Sequence, residues 1–205
     1  EFSKNELSNI LNKYNLEGKI SFELLKNDET LYGTAAKLIA DGNVIGWFQG
    51  KMEFGPRALG NRSILADPRN PNMKDIINMK IKRRESFRPF APSILIDYKE
   101  KWFGNTLQNP YMSAVEDILP KMREYIPAVT HFDGTGRVQT VSKEYNLDFY
   151  NLILEFFKIS KIPILLNTSF NENEPIVMKP EEALNCILRN DLDYLVINKF
   201  IVKKN

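Results

Sequence analysis

Arginines and lysines collect at four places where glycine, proline or small polar residues shape the chain. The first is Gly55-Pro56-Arg57-Ala58-Leu59-Gly60-Asn61-Arg62-Ser63. Two glycines bracketing four residues suit a phosphate loop, but Asn61-Arg62 stands where a Walker loop needs Lys-Ser/Thr, so that kind of loop is not expected. A loop offering Arg57 and Arg62 to a phosphate, and a tight turn with two solvated arginines, both remain open on this motif alone. The second is Lys80-Ile81-Lys82-Arg83-Arg84-Glu85-Ser86-Phe87-Arg88-Pro89-Phe90. If extended, residues 82, 84, 86 and 88 share one face. Lys82, Arg84 and Arg88 would then converge, with Ser86 as a hydrogen-bond donor. Forked guanidinium and point-charge ammonium groups are the usual partners of phosphate. A solvated basic edge strand is the plainer reading, and Phe87, Pro89 and Phe90 argue against full solvation.

The third stretch, His131-Phe132-Asp133-Gly134-Thr135-Gly136-Arg137-Val138-Gln139-Thr140-Val141, is a glycine turn carrying Thr135 that feeds Arg137 into a strand. His131 fits a structural role better than a catalytic one here. The fourth, Leu166-Asn167-Thr168-Ser169-Phe170-Asn171, takes an apolar strand directly into small polar side chains. Ligands of α/β sheets bind just past such strand ends. Asn167, Ser169 and Asn171 alternate, so one face can offer amide and hydroxyl groups; a polar Asx turn is the simpler alternative. Neither a Gly-x-Ser-x-Gly elbow nor a dinucleotide-binding glycine fingerprint occurs.

The elements that would position these groups are legible from periodicity. Ser3-Lys4-Asn5-Glu6 is a capping box before Leu7, Ile10, Leu11 and Tyr14 at helical spacing, a lead-in over residues 1–18. A strand is expected from Ile20 to Leu25, then a helix capped by Asp28 and closed by Gly42. Strands follow at Asn43–Gln49, Arg62–Ala66, Pro92–Ile96, Arg137–Val141 and Ile162–Leu166, with Tyr194–Ile197 as the last. Helices are expected at Pro71–Met79, Asp148–Lys158 and, with proline in its first turn, Pro180–Arg189. Residues 97–135 read as packed loops with short elements. Strands and helices without regular alternation predict a mixed, twisted sheet with helices packed on it.

Composition narrows the setting. With 205 residues, 43% hydrophobic and 26% charged, the chain suits one globular domain. No apolar run approaches membrane-spanning length, and no signal peptide is visible. The chain starts Glu1-Phe2-Ser3, which we read as a piece of a longer protein. One cysteine and one histidine preclude an internal disulfide and a Cys/His zinc site and point to a reducing cytoplasm. Cys186, among Ala183, Leu184, Ile187 and Leu188, reads as a core residue. Between residues 51 and 88 ten Lys/Arg face four Asp/Glu, although the net charge is only +2. A basic segment on an otherwise acidic chain favours a local anion site over a nucleic-acid surface.

Four long stretches, WFQGKMEFGPRALGNRSILADPR, KIKRRESFRPFAPSIL, HFDGTGRVQTV and ILLNTSFNENEPIV, resemble, in order, the C-terminal domain of the NodU/CmcH-type O-carbamoyltransferases. The resemblance covers essentially the whole chain, 1–205. It implies an α/β fold of the α+β type, a YrdC-like open twisted mixed sheet around a basic cavity. It implies carbamoyl-adenylate formation from ATP and carbamoyl phosphate, with Mg²⁺ accompanying the nucleotide and no metal site on the chain. It implies an N-terminal actin-like (ASKHA) partner domain, absent from this chain, that performs the final transfer. By resemblance Lys82, Arg88 and Arg57 carry the catalysis. Arg137, Asn167 and Ser169, with Arg62, Arg84 and Thr135, bind substrate and nucleotide. A nucleotide-binding module inactive without its partner domain, and a single-stranded nucleic-acid binder using residues 51–88, are the competing expectations.

Overall fold

Short, largely buried strands, and helices with one buried stripe, assemble this chain into an eight-stranded mixed sheet with a separate two-stranded pair. The computed structural model describes residues 2–205. Helix α1 (Lys4–Leu16) starts on the Ser3/Glu6 capping box and buries Leu7 and Leu11. Strand β1 (Ile20–Leu24) leads to α2 (Asp28–Ala40). The cap of α2 is Asn27, not Asp28: the Asn27 side chain accepts from the Thr30 amide, which leaves Asp28 in the first turn. The wholly buried strands β2 (Ile45–Phe48) and β3 (Arg62–Ala66) follow.

The expected helix around residue 73 is a single α turn, α3 (Met73–Ile76), widening into a π turn over Ile77–Ile81. Strand β4 (Ala91–Leu95), helix α4 (Lys99–Phe103) and the short pair β5 (Glu116–Asp117) and β6 (Thr135–Gly136) come next. They are followed by β7 (Gln139–Val141), α5 (Leu147–Ser160), β8 (Ile164–Ser169), α6 (Pro180–Arg189) and β9 (Tyr194–Ile197). Tyr194–Ile197 is not the last strand. The chain turns at Asn198, whose φ is 46°, and returns as β10 (Phe200–Lys204), which lies between β9 and β1.

The eight-stranded sheet runs β1-β10-β9-β2-β3-β8-β4-β7, with β5 and β6 paired apart from it. Two pairs, β2–β9 and β4–β7, are parallel and the others antiparallel. Helices α2 and α5 pack on one another and on the β2, β3, β4 and β8 region, while α1 and α6 pack together near β1, β2 and β9. All residues of β2, β3 and β4 are buried, as strands covered on both faces must be. Among the described residues, no helix is long and apolar enough to cross a membrane.

The basic stretch 80–90 is not the expected extended strand. The π turn ends at Lys82, the chain bends at Arg83 with φ 45°, and the Arg84 amide bonds back to the Asn78 carbonyl. Asn78, fully buried, organises this bend. Its Nδ2 donates to the carbonyls of Ser86 and Arg88 at 3.3 and 2.9 Å, and its Oδ1 accepts from Arg84 Nε at 2.7 Å.

Candidate anion-binding site

A cavity of about 300 Å³ opens where the end of β8 meets the loops after β2 and after the π turn. Arg57, Arg84, Arg88 and Arg137 line it together with His131, Asn167, Thr168 and Ser169, and Met112, Pro89 and Phe90 supply apolar wall. The four arginines come from three separated stretches of sequence, and the sheet order brings them to one end of β8. No ion pair joins Arg57, Arg84 or Arg137 to a carboxylate among the described residues. Arg88 has only Glu85, 3.1 Å away and half-exposed. Partial burial and the nearby Arg88 push the Arg84 guanidinium below its ordinary value. Three unpaired guanidiniums around one concavity repel each other, and an anion relieves that repulsion.

The Arg57 loop is held from within. Glu53 Oε1 accepts from the backbone amides of Leu59, Asn61 and Arg62 at 2.6, 2.8 and 3.4 Å. Gly60 has φ 106°, and a Cβ there would run into the Phe149 ring of α5. Arg62 does not face the cavity with Arg57. Being the first residue of β3, it turns into the interior. Its Nη1 donates to the carbonyls of Gln49 and Asn61 at 2.7 and 2.9 Å, its Nη2 to Gly50 at 3.2 Å, and the guanidinium lies 3.5 Å over the Phe48 ring. Burial lowers it to about 10. Arg62 therefore pins the loop that presents Arg57.

Lys82 also lies behind the wall. It is 2% exposed, and Nζ donates to Ser169 O, Asn171 O and Asn171 Oδ1 at 2.6, 2.8 and 2.7 Å. Burial, with the positive Arg84 as a lesser cause, pushes it down to about 7. Thr135 too is off the wall: its hydroxyl is shared by His131 Nδ1 at 3.0 Å and Asp133 Oδ1 at 2.7 Å. Of the nine residues marked from sequence, six line the cavity, and Lys82, Arg62 and Thr135 stand behind it as supports. Cys186 is buried in the core, its sulfur accepting from Asn190.

The neutral groups of the wall are fixed as firmly. Asn167 is 1% exposed, and its Nδ2 lies 3.2 Å from Ala58 O, 3.1 Å from Ser93 Oγ and 3.0 Å from Gln139 Oε1. Gln139 is itself oriented by donating to Leu59 O at 2.8 Å. With its nitrogen committed to these acceptors, Asn167 leaves its Oδ1 buried and unpartnered. Sequence reasoning missed Glu53, Asn78, Ser93 and Gln139. Each is an ordinary polar residue that no local pattern marks: Asn78, Ser93 and Gln139 are buried, Glu53 is half-buried, and their partners meet them only in the folded chain.

Beyond His131 the cavity adjoins a cleft of about 570 Å³ lined by Phe87, Pro89, Ala128, Thr130 and Phe132, with Lys74 and Asp133 at its edge. Phe132 is fully exposed. Among the described residues, no group of three or more His, Cys, Asp or Glu gathers to hold a metal ion.

Residues 36–204 match the family model described as Carbamoyltransferase C-terminus. The chain is 47% identical over 184 residues to nodulation protein NolO of Bradyrhizobium diazoefficiens, which covers 88% of this chain and 34% of that protein. It is 50% identical over 174 residues to nodulation protein NolNO of Sinorhizobium fredii, covering 83% and 26% respectively. The chain thus spans about a third of the length of the curated relatives it matches. Full-length HypF in a phosphate- and nucleotide-bound form has a similar fold at 15% identity and a TM-score of 0.54, over 88% of this chain and 22% of that one. P. abyssi Sua5 complexed with L-threonine is similar at 13% identity and a TM-score of 0.50, over 78% and 45%. Both likenesses bear on the fold alone.

Proposed function

This chain belongs to the carbamoyltransferase C-terminal family, and from that premise we propose that it activates a carbamoyl group, taking ATP and carbamoyl phosphate to carbamoyl-adenylate, phosphate and pyrophosphate. One observation carries the reading: four arginines wall a single cavity whose neutral side ends in the unpartnered carbonyl of Asn167. Carbamoyl phosphate presents the matching groups, a phosphate and an amide NH₂.

The chemistry has two parts. Water converts carbamoyl phosphate to carbamate and phosphate. A carbamate oxygen then forms a bond to the α-phosphorus of ATP, and pyrophosphate leaves with its electron pair. Two like unit charges about 4 Å apart cost about 4 kcal/mol at an effective dielectric of about 20. Arg57, Arg84, Arg88 and Arg137 offset that repulsion for both polyanions. The displacement at the α-phosphorus rests on positioning and charge stabilisation rather than a strong base. The concave wall keeps bulk water from the labile carbamate. The apolar cleft past His131, bordered by Phe87 and Phe132, suits the purine of ATP. Magnesium would accompany the nucleotide, held largely by its phosphate oxygens.

Transfer to an acceptor hydroxyl falls to the remainder of a longer protein, an actin-like domain preceding this one. The single buried cysteine suits a cytoplasmic setting. The test is to supply the full chain with ATP and carbamoyl phosphate and to follow phosphate and pyrophosphate together. Activation gives pyrophosphate that depends on carbamoyl phosphate. If both ligands bind and no pyrophosphate forms, the site is a binding module.

A further inference from the structure

His131 lies between the arginine cavity and the aromatic cleft, since it belongs to both linings. The turn that carries it is tightly built. The His131 amide donates to Thr135 O at 2.8 Å, and the Gly134 amide donates to His131 O at 2.9 Å. Gly134 has φ 82°, and a Cβ there would collide with the Arg123 guanidinium. Arg123 in turn donates to Ile118 O at 2.9 Å, and the Ile118 amide donates to Gly134 O at 3.0 Å.

The hydrogen bonds around this ring decide its tautomer. Asp133 accepts from both the amide and the hydroxyl of Thr135, which hold its carboxyl below the ordinary carboxylate range. An ionised carboxylate only accepts, so the one hydroxyl proton of Thr135 goes to Asp133. Thr135 Oγ1 must then accept from His131 Nδ1, 3.0 Å away. Neutral His131 therefore carries its proton on Nδ1 and leaves a bare lone pair on Nε2. That atom is buried and has no hydrogen-bond partner among the described residues.

We propose that His131 Nε2 is the general base that takes a proton from the water attacking carbamoyl phosphate. This rests on the activation reading above. The water oxygen bonds to the carbamoyl carbon, the bond from that carbon to the bridging oxygen breaks, and its electron pair leaves with phosphate. One water proton passes to Nε2, and the resulting imidazolium returns it to the departing phosphate. The His131–Thr135–Asp133 chain needs no rearrangement for this, because Nδ1 donates to Thr135 before and after Nε2 is protonated. Burial and the positive Arg137 and Lys74 hold the ring below its ordinary value, against the attraction of Asp133. Arg57, Arg84 and Arg88 also line the cavity that His131 lines, and they act in the same direction as Arg137. The neutral base is thus the form present near pH 7.

The two half-reactions are separable, because ammonium carbamate supplies the product of the first. In the full chain, His131→Gln keeps an acceptor near the Nε2 position and removes the base. Phosphate release from carbamoyl phosphate, above the spontaneous rate, is expected to fall about 10²- to 10⁴-fold. Pyrophosphate from ATP and ammonium carbamate is expected to fall far less, so that the ratio of the two half-reactions shifts by about tenfold or more. Thr135→Val is expected to slow the same half-reaction about tenfold or more, and the acid limb of the wild-type pH profile is expected to vanish in His131→Gln. Phosphate release by His131→Gln within about threefold of wild type overturns the proposal, as does an equal loss of both half-reactions. Wild-type chain that makes no pyrophosphate from ATP and ammonium carbamate defeats the activation reading instead. Hydrolysis that persists there and depends on His131 still supports the base.

Discussion

The Lys82 ammonium donates to the Ser169 carbonyl at 2.6 Å, joining the end of the π turn to the end of β8. With its bonds to Asn171 it fixes the end of β8, where Ser169 lines the arginine cavity. Lys82→Met leaves those buried oxygens without a donor, and the expected loss is about 2 kcal/mol. For a domain of this size that lowers the melting temperature by about 4–8 °C. Because burial pushes Lys82 down to about 7 from its ordinary 10.5, folding expels a proton between those values. Wild-type stability from this group therefore rises with pH from about 7 towards 10.5 and falls as pH drops back through 7. Urea titrations across that range should show the slope in wild type and its loss in Lys82→Met. An equal slope in both chains refutes the linkage.

Asn167 should select carbamoyl over acetyl phosphate. Its Oδ1 is the one unpartnered acceptor of the Asn167–Ser93–Gln139 group, and acetyl phosphate has no NH₂ to offer it. A site built for a hydrogen bond rejects an analogue that lacks the donor. Asn167→Ala should raise the KM for carbamoyl phosphate about 10- to 100-fold, equivalent to about 1–3 kcal/mol, and blunt its preference over acetyl phosphate as a competitor. Gln139→Leu should act in the same direction more weakly, by freeing the Asn167 amide to rotate. Unchanged selectivity in both variants removes Asn167 from recognition.

Local signals marked much of this architecture, and distant partners account for the rest. Pro180 in the first turn and the apolar stripe through Ala183, Leu184 and Ile187 bound α6 at the residues that sequence suggests. Tyr194–Ile197 is equally plain, being short, apolar and flanked by polar residues. The stretch after it hid a strand, because Lys203 and Lys204 make β10 look like a charged tail until β1 pairs with it. Arg57, Arg84, Arg88 and Arg137 were visible as charge near turn residues. Lys82 and Arg62 carry the same charge in the same stretches, yet they point inward. Their carbonyl partners, Ser169 and Asn171 for one and Gln49 and Gly50 for the other, are brought close only by folding. The bend at Arg83 depends on Asn78 reaching two carbonyls eight and ten residues ahead, which no period records.

Arg88 and Arg62 should therefore fail differently. Arg88 is half-exposed and paired only with Glu85, so Arg88→Ala should leave the melting temperature within about 2 °C, an exposed pair contributing about 1 kcal/mol or less. Its carbamoyl-phosphate-dependent pyrophosphate release should drop at least tenfold, and a loss of about 2–4 kcal/mol of charge stabilisation is the expected scale. Arg62→Ala strips donors from three backbone carbonyls in the interior and should destabilise the fold by several degrees. Thermal melts and turnover measured on both variants decide this; matched behaviour contradicts the inward placement of Arg62.

Phe132→Ala offers a clean probe of the cleft beside His131, because a fully exposed ring contributes little to the fold. Stacking of a base on an aromatic ring is worth about 1–3 kcal/mol. The KM for ATP should accordingly rise about 5- to 100-fold while the KM for carbamoyl phosphate holds. An unchanged KM for ATP would move the purine elsewhere.

Gly60 ties the arginine loop to the helical layer, and the consequence can be measured. Its φ of 106° lies where a side chain is strained, and the space a Cβ needs is filled by the Phe149 ring, itself fully buried in α5. Around it, the Gly60 amide donates to Ser63 Oγ at 3.1 Å, and Trp47 Nε1 donates to the Gly60 carbonyl at 3.0 Å. Gly60→Ala must move the loop or the ring, since neither contact is with the free end of a flexible chain. Strain of about 1–3 kcal/mol and overpacking of similar size add to a loss of about 2–6 kcal/mol. Moving the loop also shifts Arg57 away from the other arginines, so phosphate affinity should fall with stability. Gly55, with φ 136° and open space around it, is the control: Gly55→Ala carries the backbone strain without the collision and should cost about half as much. Equal losses from the two substitutions would assign the cost to the backbone alone and remove Phe149 from the account.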